Sequence, residues 1–158
     1  MPRQDLSAEH AALIVGAVDF CQQVTNRLRE LTHRVHEYTQ HSGGHQQLLD
    51  LLEEALGGAA VNTSLLREII AIAVSRAAFA PRYLQAMSAQ LSVIPSPAGG
   101  NTASLAVARA RTLSLADCVK LLVAESLASS YRIKLQNDRL EDALHHASLS
   151  ARQAQCGA

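Results

Sequence analysis

Aromatic side chains are nearly missing from this chain: its 158 residues hold two Phe, three Tyr and no Trp. Strands draw on aromatic and β-branched residues, so a sheet protein is disfavoured. Glycine and proline are also few, eight and four, and they cluster, as expected where they mark helix ends. Lysine occurs only twice, against twelve Arg, and the net charge is zero. A neutral chain is not one whose whole surface grips nucleic acid or an anionic membrane. The arginine excess fits either a GC-rich genome or planar recognition of carboxylate or phosphate.

Cysteine is limited to Cys21, Cys118 and Cys156, an odd number with no CxxC. That excludes a disulfide framework and a cysteine-rich zinc site. Cys21 and Cys118 fall on apolar helix faces and read as small core residues, whereas Cys156 reads as a free surface thiol. The opening MPRQDLSAEH lacks the basic-then-apolar pattern of a signal peptide. The longest apolar stretch of low charge, Ile69 to Ala80, contains Arg76 and is too short to span a bilayer. The expectation is a soluble, cytoplasmic, bacterial-type protein with no membrane partner. No G-x-S-x-G, Walker loop, GxGxxG or H-E-x-x-H is present, so no enzyme class is indicated.

What the chain has is helical periodicity. Ser7 is a good N-cap, and a helix is expected from there to His41, stopped by Ser42-Gly43-Gly44. Ile14, Ala17, Cys21, Val24, Leu28, Leu31, Val35 and Tyr38 recur at 3-4 spacing through it. A sustained 3.5-residue period keeps one seam turned toward a partner helix. A second helix is expected from His45 to Leu56, ended by Gly57-Gly58. A third, capped by Asn62, Thr63 or Ser64, is apolar nearly all round and belongs at the centre. Pro81 ends or kinks it. Residues 94–102, with two Pro and two Gly, read as a linker or loop. After a short helix, Ala103 to Arg111, Ser114 caps a last helix that runs to about Gln155. Its polar stretch from Arg132 to Arg139 reads as leaving the bundle.

The fold expected is therefore all-α: one domain over residues 1–158, an elongated helical bundle. Long amphipathic N-terminal and C-terminal helices surround a buried central helix. Its function is expected to be a non-enzymatic interaction module that self-associates or docks another helical protein. The interface would be Ile14, Cys21, Val24, Leu28, Leu31, Val35 and Tyr38, with the C-terminal helix beside them.

Two other constellations are present. Glu30 and His33 lie one turn apart, as do Asp142 and His145, and antiparallel first and last helices would bring the pairs together. Carboxylate and imidazole at that spacing suit a transition metal such as zinc, iron or manganese. Against this, His33 and Glu30 lie off the heptad seam, where such pairs are ordinary surface neighbours. Between Ile69 and Ala116 there are four basic residues, Arg76, Arg82, Arg109 and Arg111, and no acid. They form a small candidate anion or nucleic-acid site, with few aromatics for base stacking.

Overall fold

The computed structural model describes residues 5–42, 45–91 and 102–156. The expected linker at 94–102 and the Gly43-Gly44 stop fall almost wholly outside them. Among the described residues there are five helices and no strand: α1 (Ala8–Ser42), α2 (Gln46–Arg76), α3 (Arg82–Gln90), α4 (Thr102–Ala110) and α5 (Leu115–Cys156). Ser7 caps α1, its Oγ accepting the amide of His10 at 3.1 Å. Ser114 caps α5 in the same way, accepting the amide of Asp117 at 3.2 Å. Each cap satisfies one of the orphan donors at a helix start.

The expected stop at Gly57-Gly58 does not occur. α2 runs unbroken through both glycines, and the supposed caps Asn62 and Thr63 sit mid-helix, 0% and 4% exposed. A glycine costs a helix interior only about 1 kcal/mol. Each buried Leu or Ile returns roughly 1.5–3 kcal/mol. Leu48, Leu52, Leu65, Leu66, Ile69, Ile70 and Ile72 all bury on this helix, so packing outweighs the two glycines. The merged helix is long and apolar enough to cross a membrane by length and composition, with 56% of its most apolar window buried inside the fold. α2 ends at Arg76, before Pro81, which instead becomes the N-cap of α3.

Three long helices make the body. Val24 meets Asn137, Arg27 meets Asp138, and Tyr38 meets Ala147, so α1 and α5 run parallel. Asn62 meets Ser130 and Glu54 meets Gln136, so α2 runs antiparallel to α5. The antiparallel first and last helices on which the metal reading depends do not occur: α1 and α5 are parallel, with α2 as the return stroke. α3 and α4 pack at the end where α1 and α5 begin, burying Leu84, Leu91, Val107 and Ala110.

The core divides into two apolar clusters. One gathers Ile14, Val18, Ile69, Ile70, Leu115 and Leu122 at the α3/α4 end. The other gathers Leu28, Val35, Leu52, Ile133 and Leu140 at the opposite end. Between them each long helix contributes polar groups: Thr25 from α1, Asn62 and Thr63 from α2, Ser126 and Ser130 from α5. Asn62 donates Nδ2 to Ser130 Oγ at 2.8 Å and accepts from Ser126 Oγ at 2.8 Å. Thr63 donates to the Ala59 carbonyl at 2.9 Å. Buried polar groups must be partnered; Asn62 finds its partners on the facing helix α5, and Thr63 finds one a turn back on its own helix.

The stretch from Arg132 to Arg139 stays in the bundle, contrary to the expectation. Ile133 and Asn137 are buried, and Asn137 donates to the Val24 carbonyl at 3.0 Å. Its charged residues, Arg132, Lys134, Asp138 and Arg139, are exposed on the outward side of a helix whose inward side is in contact.

Candidate interaction surface

The heptad seam of α1 lies inside the chain. Ile14, Cys21, Val24, Leu28, Leu31 and Val35 are each at most 6% exposed, packed against α2 and α5. Tyr38 is half-buried and donates its hydroxyl to the Ala147 carbonyl at 2.9 Å. The helix partner that the spacing demands is therefore supplied by the same chain.

The metal candidates are all at the surface: Glu30, His33, Asp142 and His145 are exposed. Among the described residues no group of three or more His, Cys, Asp or Glu side chains comes together. Two acids bridge the two helices, and one is Glu141, half-exposed, which pairs with Arg27 and stands 3.7 Å from Arg34. Arg27 also holds Asp138 at 2.6 Å. Asp138 first, then Glu141, push the Arg27 guanidinium above its ordinary value. These pairs fix the α1–α5 register along one exposed edge. Beyond them, Arg34, Glu37, Tyr38, His41, Leu144 and Ser148 line an open groove of about 290 Å³.

The four arginines of the basic middle do not act as one patch. Arg111 reaches Glu68 at 3.3 Å. Arg76 turns inward and donates to the Leu113 carbonyl at 2.8 Å. Arg82 and Arg109 are exposed on α3 and α4. Arg76 and Arg111 do share one neighbour, the buried Cys118. Burial raises that thiol's pKa, and the two guanidinium charges oppose the shift. Burial likewise raises Cys21, against hydrogen bonds from Thr25 and Thr63. Neither thiol is poised as a nucleophile, since the thiolate is the reactive form.

Phe79, Tyr83 and Leu105 are exposed near the α3/α4 end, and a longer continuous apolar face lies open on the outer side of α5. Leu121, Tyr131 and Leu135 are 43%, 55% and 43% exposed. Ala124 and Ala128 between them are exposed too. Together these five recur at 3-4-3-4 spacing, one apolar stripe about 20 Å long at 1.5 Å per residue. Leu127, 38% exposed, flanks it. The opposite side of the same helix, through Val119, Leu122, Ser126, Ser130, Ile133 and Leu140, is the one that α1 and α2 cover. α5 thus carries two seams, and the bundle consumes one. The second is legible in the sequence as a 3-4 repeat, but it lies in the shadow of the better-covered one.

No known protein family, curated protein or solved structure matches this chain.

Proposed function

We propose that the protein is a non-enzymatic helical module that works by helix–helix association, and that the outer face of α5 is its docking surface. The observation that carries this is the uninterrupted apolar stripe from Leu121 to Leu135 on a helix whose other face is already packed. A surface helix of a self-contained bundle has one apolar stripe and a polar outer face. Contiguous exposed apolar positions rimmed by charge mark interaction sites. Lys120, Glu125, Arg132 and Lys134 supply that rim, and all four are exposed.

The test is the solution mass of the full chain beside that of Ala128→Glu. Ala128 is exposed, so the variant keeps the fold, read as an unchanged circular dichroism spectrum. The wild type is expected to associate, and the variant to be a monomer. Association that survives Ala128→Glu, with the helix content intact, would remove α5 as the docking face.

A further inference from the structure

We infer that the occupant of the α5 face is the α5 helix of a second copy of this chain, antiparallel about a two-fold axis, in the one register that sets Glu125 beside Arg132 of the second copy. This rests on the docking surface proposed above and specifies what covers it. A two-fold interface is isologous, so every contact occurs twice.

Side-chain size argues for the antiparallel sense. With the stripe paired in this register, Tyr131 lies over Ala128 of the second copy and Leu135 over Ala124. Large residues meet small ones in these four central layers, where the backbones approach closely, while each outer layer sets Leu121 beside Asp138 of the second copy. A parallel pairing in register instead stacks Tyr131 on Tyr131 and Ala128 on Ala128, a clash beside a gap.

Charge then selects the register. In an antiparallel helix pair the flanking positions meet their own kind across the seam. The chosen register places Glu125 against Arg132 on both sides of the axis, and lays the Lys134 stem over Leu127. Sliding one heptad toward the N-terminus of α5 sets Glu125 against Glu125 and Lys134 against Lys120. Sliding one heptad the other way sets Arg132 against Arg132 and Lys134 against Lys134. The parallel arrangement sets Lys134 against Arg139. Each alternative juxtaposes like charges, which is how paired helices exclude wrong registers. Neither Glu125 nor Arg132 makes an ion pair within the chain among the described residues, so both are available. Lys120 also approaches Glu141 of the second copy, but Arg27 and Arg34 already flank that carboxylate and the pair adds little. The seam ends at Asp138, held by Arg27.

The experiment is a charge-exchange series on the full chain, read by sedimentation velocity. Wild type is expected to be a dimer at about 100 µM, a concentration that populates a complex of about 10 µM Kd. Glu125→Arg puts two arginines at each flank, and Arg132→Glu puts two glutamates there. Each single variant is expected to dimerise about tenfold or more weakly, less so at high salt. An equimolar mixture of the two is expected to recover the dimer as a heterodimer, because every flank is then Arg against Glu. The double variant E125R/R132E is expected to recover the homodimer. Both sites are exposed, and the rescue itself shows that the singles have not misfolded. If Ala128→Glu dissociates the dimer but the mixture gives no rescue, the face is right and the antiparallel register is overturned. A wild type that is monomeric at about 100 µM overturns the second copy as occupant.

Discussion

Asn62 of α2 reaches Ser130 of α5 across the bundle at 2.8 Å, with neither side chain exposed to solvent. Ser126, one turn earlier on α5, completes the amide from its other side. Removing one member leaves a buried polar atom unpaired, which costs about 1–3 kcal/mol. Ser126→Ala is therefore expected to lower the stability by that amount in urea denaturation. The triple variant N62L/S126A/S130A, which removes the whole set, is expected to be less destabilised than Asn62→Ala with its two stranded hydroxyls.

The α1 seam sets a second expectation. Leu28 is 0% and Leu31 2% exposed, inside the cluster shared with α2 and α5. Leu28→Ala is expected to cost about 2–5 kcal/mol, as for buried leucines generally. Leu28→Asp with Leu31→Asp is expected to unfold the chain, not merely to alter its mass. Circular dichroism separates these outcomes: a folded double-Asp variant would mean the seam is not core.

The helical glycines give a stabilising prediction. A Cβ at Gly16 meets nothing within 4 Å, and one at Gly58 meets Ile133 Cγ1 at 3.7 Å and Gln136 Oε1 at 3.8 Å, ordinary contact distances. Both sites lie inside helices. Gly16→Ala and Gly58→Ala are each expected to add about 0.5–1 kcal/mol, through helix propensity and a less free unfolded chain. Thermal denaturation reads this as a rise in Tm.

The buried thiols predict a pH dependence. Burial raises the folded-state pKa of Cys21 and Cys118 above the unfolded value. The unfolded chain thus releases these protons first. Their contribution to stability is full below the ordinary thiol value of about 8.5 and is lost as the pH rises through the folded values. Denaturation midpoints followed from pH 7 to 10 are expected to fall more steeply for wild type than for the double variant C21A/C118A. Equal slopes would count against burial as the source of the shift.

Much of this fold is written in the spacing of apolar residues. The α1 period, the cap at Ser7, the cap at Ser114 and the buried run after Leu65 all reappear as expected elements. Two features do not follow from local signals. Gly57-Gly58 reads as a stop because propensity is local, while the burial that carries α2 through it involves Ile133 and Leu140, far away in the chain. The parallel sense of α1 and α5 depends on how α2, α3 and α4 return the chain, which no single-helix pattern encodes. The surface is harder still. The α1 stripe has the same form whether its mate lies within the chain or outside it, and only the covered fraction of Leu28 or Val35 decides. By contrast, the exposed stripe of α5 is weak in the sequence because two of its five positions are alanine.

The parallel pairing of α1 with α5 has a consequence for the order in which the protein is made. Arg27 and Asp138 are 111 residues apart, and Val24 and Asn137 are 113 apart. During synthesis α1 and α2 emerge before α5 and can form a hairpin, but the third wall of their core follows only after both. Until then Leu28, Val35, Leu52 and Ile69 face solvent on an incomplete two-helix intermediate, the aggregation-prone stage of a nascent chain. Closing so long a loop also slows folding relative to a bundle of neighbouring hairpins. A chain truncated before Ile133 therefore lacks the element that covers the seam, and this core closes only once α5 has been made.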